Sequence, residues 1–212
     1  METDCSFTLA STNYRPATQY FTIHGLWPTD ADGKALEKRV LPIANLSFLL
    51  DDDESTLVRD LNRYWPNFRI DNINKCFWKH EWDKHGCTIS EWNEPGRTPE
   101  PVKPEDYFER AVTLINNDLS RNILSALKDI GLVPNNSCSY PVSNFISAIT
   151  SITGPGTVML NCTGTDNKVL GEVRLCVNRN ATGFTKCSGE KEKNKTQNSC
   201  GDNGTLIRFP AS

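Results

Sequence analysis

The sequence lacks any long hydrophobic run. Only 37% of its 212 residues are hydrophobic, and an apolar stretch such as residues 46–50 falls far short of the roughly 20 residues needed to span a bilayer. This absence argues against a membrane-spanning protein. A chain of this length can bury a core of ordinary size, and we expect a soluble globular protein with a single domain over residues 1–212.

The sequence also lacks an excess of positive charge, because 23 Lys and Arg residues are outnumbered by 26 Asp and Glu residues. The formal net charge of −3 excludes a polycation that coats nucleic acid through its overall charge. It does not exclude an enzyme that acts on nucleic acid. Such an enzyme must release its product, and a local cationic pocket is enough to bind the substrate.

Paired Cys-x-x-Cys motifs are absent from the eight cysteines, which argues against a structural zinc site. A high and even number of cysteines favours disulfides formed in an oxidising compartment. Six Asn-x-Ser/Thr sequons support a secreted glycoprotein, and they begin at Asn45, Asn135, Asn161, Asn180, Asn194 and Asn203. The first residues are polar and no apolar signal region follows, so we expect that a signal was removed or that the chain is an incomplete gene product.

Histidine is scarce, with three in the chain, and two of them, His80 and His85, lie in one short segment. The segment reads Phe77-Trp78-Lys79-His80-Glu81-Trp82-Asp83-Lys84-His85-Gly86. If residues 77–85 form a helix, Glu81 and His85 are i,i+4 neighbours, as are His80 and Lys84. We predict that these polar side chains share one stripe of the helix and that the two tryptophans anchor its other side in the core.

A metal site is the first alternative for this segment. Zinc proteases carry His-Glu-x-x-His, whereas the spacing here is His-Glu-x-x-x-His. Five residues place His80 and His85 about 140° apart around a helix, and a lysine among the ligands would oppose a cation. We therefore expect no metal ligands and no cofactor.

General acid–base chemistry suits the set better. Two histidines with pKa values near neutrality can serve as base and acid, a carboxylate can orient one of them, and a lysine can stabilise an anionic transition state. RNA needs only these groups, because its own 2′-hydroxyl is the nucleophile. The third histidine, His24, ends a short β-prone run before Gly25 and a Trp-Pro turn, a position where side chains commonly face a cleft.

Hydrophobic periodicity predicts helices in the middle of the chain and strands at both ends. The expected helices open in the acidic residues 51–54 and end near residue 65, cover 77–85, start at 104, cover 123–130 up to Gly131, and cover 143–152 up to Gly154. The expected strands cover 20–23, 157–162, 171–177 and 205–209. This order predicts an α+β fold with a central antiparallel sheet and packed helices.

Two motifs together resemble the active-site segments of the ribonuclease T2 family. The first is Phe21-Thr22-Ile23-His24-Gly25-Leu26-Trp27-Pro28, and the second is the segment 77–86 quoted above. The likeness extends through Trp65-Pro66-Asn67, the helices and the cysteine-rich C-terminal part, and it is closest to the plant branch. It implies an α+β fold and endonucleolytic cleavage of single-stranded RNA through a 2′,3′-cyclic phosphate.

The resemblance also implies which residues act on the RNA. His85 would be the base of the cyclising step and His24 would be the acid. Glu81 and Lys84 would support the transition state, and His80 would hold the phosphate.

Three further residues would bind substrate by the same resemblance. Trp27 would line the site, with core packing as the alternative. Phe77 and Asn67 resemble residues of a base pocket, in which an aromatic ring stacks on a splayed base. Simple scaffolding is the alternative for both.

The sequence departs from the family pattern in three places. Members normally begin with an apolar strand that ends in Trp-Pro and a cysteine, whereas here 23 mostly polar residues precede His24, so we expect that first strand to be missing. Members usually read His-Gly-Thr-Cys, and the order here is His85-Gly86-Cys87-Thr88. The usual partner cysteine, in the loop after the first motif, is also absent.

The resemblance implies two disulfides, Cys162–Cys200 and Cys176–Cys187. Among the other four cysteines, Cys76 and Cys87 would lie about 16 Å apart on a helix, beyond the roughly 7 Å that a disulfide spans. We exclude that pair and favour Cys5–Cys76 with Cys87–Cys138, while the other pairing of these four stays open.

Two functions from different classes fit these observations. One is a secreted endoribonuclease, extracellular or vacuolar, and the other is an inactive glycoprotein that keeps the fold for storage, binding or defence. The intact set of motif side chains favours the enzyme. A sequence pI of about 5.7 favours an S-like ribonuclease of nutrition or defence over a pollen-rejection S-type enzyme, since the latter tend to be basic. We expect a monomer that acts on single-stranded RNA, with no membrane partner.

Overall fold

A computed structural model of the protein describes residues 21–29, 46, 55–68, 73–89, 102–115, 117–187 and 199–211. The described residues form five α-helices and a four-stranded sheet, which confirms the α+β class. They fall into two compact units, the first with three helices and the second with two helices and the sheet. Across these ranges, no helix is long and apolar enough to cross a membrane.

The first unit contains three helices and a short 3-10 turn. Helix α1 spans Thr56–Tyr64, α2 spans Asn74–Lys84, the 3-10 turn covers Gly86–Thr88, and α3 spans Pro104–Ile115. Ser55 caps α1, because its hydroxyl accepts a hydrogen bond from the backbone N–H of Val58 at 3.1 Å. The acidic residues 51–54, which were expected to open this helix, lie before the cap and outside the described residues. Helix α2 begins earlier than the expected start at residue 77.

Aromatic side chains fill the core of the first unit. Trp65, Trp78 and Phe108 are fully buried, and Tyr107 is 0% exposed. The rings of Trp65 and Phe108 meet edge to face with centroids 5.4 Å apart, and those of Tyr107 and Trp82 do so at 5.7 Å. Such pairs add about 0.5–1.5 kcal/mol each beyond the burial of their area. The prediction that the two tryptophans of α2 lie in the core is confirmed.

The predicted strand over residues 20–23 is wrong where it can be checked. Tyr20 lies outside the described residues, as does the N-terminal region in which the first family strand was expected to be missing. Residues 21–23 have no regular secondary structure. The backbone N–H of Ile23 donates to the carbonyl of Tyr64 at 2.7 Å, so this segment is held by the end of α1.

The second unit packs two helices with the sheet. Helix α4 spans Asn117–Asp129, β1 Ser139–Pro141, α5 Val142–Thr153, β2 Val158–Thr163, β3 Val169–Leu175 and β4 Leu206–Arg208. The strand order is β1-β4-β3-β2, in which β1–β4 and β2–β3 are antiparallel and β3–β4 is parallel. The expectation of an antiparallel sheet therefore fails at one pair. Strand β1 was not predicted because its sequence, Ser-Tyr-Pro, shows no apolar alternation and contains a proline, which is found mainly in edge strands.

Gly131 ends helix α4 as expected from the sequence. Its φ of +78° lies in the left-handed region, where a side chain would be strained. The N–H groups of Gly131 and Leu132 donate to the carbonyls of Lys128 and Leu127, both at 2.9 Å, so the last turn keeps its acceptors satisfied.

The second unit contains the two disulfides implied by the family resemblance, Cys162–Cys200 and Cys176–Cys187. They close loops of 38 and 11 residues in sequence separation, for which a chain-entropy estimate gives about 3–4 kcal/mol of stabilisation each. The predicted Cys87–Cys138 bond is wrong, because both residues are thiols. Cys87 is buried in the 3-10 turn that follows α2, where its Sγ–H donates to the carbonyl of Asp83 at 3.0 Å. Cys76 is disulfide-bonded, and its predicted partner, Cys5, lies outside the described residues.

Candidate active site

The segment 21–28 carries His24 without the support of a helix or strand. Its backbone is instead bonded to side chains and to one carbonyl of the first unit. The indole N–H of Trp65 donates to the carbonyl of His24 at 2.9 Å, and the hydroxyl of Tyr107 donates to the carbonyl of Leu26 at 2.8 Å. Together with the bond between Ile23 and Tyr64, these contacts fix the backbone on both sides of Gly25, and the His24 side chain is left exposed.

Trp27 lies next to both histidines that were predicted to be acid and base. Its ring centroid is 5.0 Å from that of His24, in an edge-on arrangement, and 5.6 Å from that of His85. Phe77 faces His24 from α2, with the two rings nearly parallel and their centroids 6.4 Å apart. The structure thus brings together residues that are about sixty positions apart in the sequence.

Glu81 connects Trp27 to helix α2. The indole N–H of Trp27 donates to Oε2 of Glu81 at 3.2 Å. Glu81 is 3% exposed and is the only charged side chain that is buried in the part of the chain that the structure describes. A Cβ atom on residue 25 would collide with Nε1 of Trp27 and with Oε2 of Glu81, so this approach requires Gly25.

The side chains of the predicted polar stripe of α2 differ in their burial. Glu81 lies on the buried side with the tryptophans, whereas Lys84 is exposed and His80 is partly buried. His85 caps the C-terminal end of the helix, with φ −122° and ψ −54°. His85 therefore lies where the chain leaves the helix.

The environment of His85 disfavours its protonated form. Its pKa is lowered from 6.5 to about 4, first by burial and then by the positive charges of Lys84, His80 and His24. This value is lower than the pKa near neutrality that was expected from the sequence. At pH 5 to 7 His85 is consequently neutral, and a neutral imidazole can accept a proton.

Asn67 is the predicted site residue that the structure ties most fully into the scaffold. It is 2% exposed, its side-chain Nδ2 donates to the carbonyl of Ile73 at 3.2 Å, and its backbone N–H donates to Oδ1 of Asn74 at 2.7 Å. This arrangement braces the start of α2 and favours the scaffolding alternative for Asn67. Phe77 is partly exposed beside His24 and stays a candidate for base stacking.

The bonds from Trp65 and Tyr107 to the segment that carries His24 were not predicted from the sequence. Trp65 was expected only near the end of a helix and in the family likeness, and Tyr107 was not singled out. A buried Tyr or Trp usually finds a partner for its polar hydrogen, and that rule could have pointed to a bond without naming its acceptor. Over the described ranges, no group of three or more His, Cys, Asp or Glu side chains could hold a metal ion.

The chain matches the family model described as "Ribonuclease T2 family" over residues 1–187. The matched range includes both motif segments and elements of both compact units. All the site residues discussed above lie in the matched range.

Named relatives and a solved structure agree with this match. Ribonuclease 3 of Arabidopsis thaliana is 32% identical over 178 residues, which cover 82% of this chain and 71% of that protein. Ribonuclease M of Aspergillus phoenicis is 30% identical over 137 residues, and the chain spans only 56% of its length, with 62% of this chain covered. The crystal structure of RNase NT in complex with 5′-AMP has a TM-score of 0.65 at 25% identity, covering 89% of this chain and 82% of that one.

Replacement of Lys84 tests the electrostatics of the site. Lys84→Met should raise the pKa of His85 from about 4 towards 6.5, because it removes a positive charge that disfavours the imidazolium. Proton NMR titration of the three histidines measures this pKa directly. Lys79→Met is the matched control, since Lys79 lies on the same helix and is exposed in an ion pair with Asp83. An unchanged pKa in Lys84→Met would contradict the contribution of Lys84, and an equal rise in Lys79→Met would show that the effect is not specific to Lys84.

Proposed function

Because this chain belongs to the ribonuclease T2 family, we propose that it is an endoribonuclease that cleaves single-stranded RNA. The reaction is metal-free acid–base catalysis through a 2′,3′-cyclic phosphate. The observation that carries this proposal is the placement of His24 and His85 beside one tryptophan in contrasting environments. His24 is exposed, whereas His85 is partly buried with a pKa of about 4.

His85 is the base of the cyclising step. A pKa of about 4 leaves it neutral at mildly acid pH, so it can remove the proton from the 2′-hydroxyl of RNA. The activated 2′-oxygen then attacks the adjacent phosphorus atom. The positive charges that lower the pKa of His85 would disfavour its protonation in this step. The negative charge of the bound phosphate offsets them.

His24 is the acid. Its ring is exposed next to Trp27, and in this proposal it donates a proton to the 5′-oxygen as the bond between phosphorus and that oxygen breaks. The products are a 2′,3′-cyclic phosphate and a free 5′-hydroxyl. In a hydrolysis step the two histidines exchange roles on a water molecule.

The remaining motif residues stabilise the charge that develops on the phosphate. Lys84 and His80 both act electrostatically on His85, and we assign Lys84 to the transition state and His80 to the phosphate. Glu81 supports the transition state from its buried position and holds the indole of Trp27. Phe77 offers a partly exposed aromatic face for a base, and the presence of 5′-AMP in the RNase NT complex supports a nucleotide-binding surface of this kind.

An RNA-cleavage assay tests the proposal. The protein should cleave single-stranded RNA at mildly acid pH in excess EDTA and leave 2′,3′-cyclic phosphate ends, which mass spectrometry identifies. A substrate with one 2′-deoxynucleotide should stay uncut at that position. His24→Ala and His85→Ala should each lower kcat/KM by about 10²–10⁴-fold, since each removes one proton-transfer group.

Lys79→Met serves again as the control, because an exposed ion pair contributes little and its loss should leave the rate within about twofold. Full activity in His85→Ala would contradict the assignment of the base. Loss of activity in EDTA would point to a metal enzyme, and no cleavage by the unaltered protein would favour the inactive glycoprotein as the alternative.

We also propose that the protein is a secreted or vacuolar S-like ribonuclease, with the pollen-rejection type as the alternative. Two disulfides support an oxidising compartment, and a sequence pI of about 5.7 supports the S-like assignment. Two of the sequon asparagines differ in how accessible their side chains are. Asn203 is exposed, whereas Nδ2 of Asn161 donates to Oε2 of Glu172 at 3.1 Å within the sheet.

Glycopeptide mapping of the protein from its natural tissue tests this placement. We expect a glycan on Asn203 and none on Asn161, because Nδ2 of Asn161 already bonds Glu172 within the sheet and a sugar attached to that nitrogen would crowd the bond. A cytosolic chain without any glycan would rule out secretion.

A further inference from the structure

Tyr107 has a polar group that the proposed mechanism does not use. Its ring is fully buried, with the rings of Phe108 and Trp82 packed edge-on at centroid distances of 5.1 and 5.7 Å. These neighbours fix the position of the ring and therefore of its hydroxyl. The hydroxyl donates to the carbonyl of Leu26 at 2.8 Å, in the irregular segment that carries His24.

The hydroxyl remains a donor at every pH at which the protein could be assayed. Burial, and next the negative charge of Glu81, raise the pKa of the Tyr107 phenol well above its usual value of 10. Removing the donor of this partly buried bond should cost about 0.5–1.5 kcal/mol of stabilisation, as for a typical hydrogen bond. The bond is thus a constant constraint on the peptide that joins Leu26 to Trp27.

This constraint matters because Gly25 lies between His24 and Leu26. Glycine restricts the backbone less than any other residue, so it transmits little orientation to its neighbours. The direction of the His24 ring therefore depends on the bonds that hold the carbonyls on either side of Gly25. Trp65 holds the carbonyl of His24, and Tyr107 holds that of Leu26.

We propose that Tyr107 is a positioning residue for His24: its hydroxyl fixes the Leu26 carbonyl and so keeps the His24 ring aimed at the leaving 5′-oxygen. This inference rests on the proposed function, in which His24 is the acid. Trp65 acts in the same way on the other side of Gly25. Neither side chain is required to touch the RNA.

The chemistry of the cyclising step offers a selective test. In a dinucleotide, the 2′-oxygen forms a bond to phosphorus, the bond from phosphorus to the 5′-oxygen breaks, and the 5′-oxygen needs the proton of His24. In a nucleoside 3′-(4-nitrophenyl phosphate), the same attack expels 4-nitrophenolate, which leaves with the electron pair of the broken bond and needs no proton. A defect in the acid therefore slows the first substrate and spares the second.

Tyr107→Phe is the test variant, because it removes one oxygen atom and keeps the ring. We expect kcat for the dinucleotide to fall by about tenfold or more, since small misplacements of reacting groups have costs of this order. KM should be unchanged, and the rate with the aryl substrate should stay within about twofold, because His85 is not moved. Trp65→Phe should show the same selective loss and gives a second variant if Tyr107→Phe is too unstable to assay.

Tyr140→Phe is the matched control. The hydroxyl of Tyr140 also donates to a backbone carbonyl, that of Val133 at 3.1 Å, but it belongs to the second unit. Its removal should leave the rates of both substrates within about twofold. His24→Ala is the positive control and should show a larger selective loss than Tyr107→Phe.

The possible results separate this inference from the proposed function. Equal losses on both substrates in Tyr107→Phe, or no loss on either, would overturn the inference alone if His24→Ala remains selective. If His24→Ala itself slows both substrates equally, His24 is not the acid and the inference is overturned with that assignment. A selective loss in Tyr107→Phe and Trp65→Phe, absent from Tyr140→Phe, would establish the positioning role.

Discussion

The arrangement of the site depends on the burial of one carboxylate. Glu81 is 3% exposed on helix α2, and a buried carboxylate is costly unless donors surround it. The indole N–H of Trp27 supplies one donor, and Gly25 lets the chain come close enough for that bond to form. The Trp27–Glu81 bond joins the motif around His24 to α2, and Trp27 lies there beside both His24 and His85.

The same helix ends in a concentration of positive charge. His80 and Lys84 precede His85, which caps the helix, by five residues and one residue, and their charges add to burial in lowering the pKa of His85 to about 4. In the proposed reaction, an anionic substrate would meet the neutral imidazole of His85 among positively charged side chains. In the proposed reaction, this segment would provide the proton acceptor and the positive charges around the phosphate. The proton donor would come from the irregular segment that Glu81 and Tyr107 hold.

Much of the fold could be predicted from the sequence, because helices are recognised by periodic apolar residues and by the residues that favour helix ends. The helix starting at Pro104 and the end of α4 at Gly131 were expected. The strand expected to end at Ile23 was wrong, since a β-prone run forms a strand only where a neighbouring strand pairs with it, and Ile23 instead bonds Tyr64. The Cys87–Cys138 bond was also wrong, because counting cysteines cannot reveal that the Cys87 thiol bonds a helix carbonyl.

The residues of the candidate site could be predicted from the sequence, but their arrangement in space could not. Motif spacing identified the histidines, but the burial of Glu81 and the low pKa of His85 depend on what surrounds them in space. The bonds from Trp65 and Tyr107 were missed because they join side chains to carbonyls that are distant in the sequence.

The most direct test of this account is a double-mutant cycle between Trp27→Phe and Glu81→Leu, measured as kcat/KM for a dinucleotide. If the Trp27–Glu81 bond docks the His24 segment, either change removes the same interaction, and the two effects should be strongly non-additive. The predicted coupling is about 1.5–3 kcal/mol, as for hydrogen bonds to charged groups. Effects that add to within about 0.5 kcal/mol would contradict the central role of this bond.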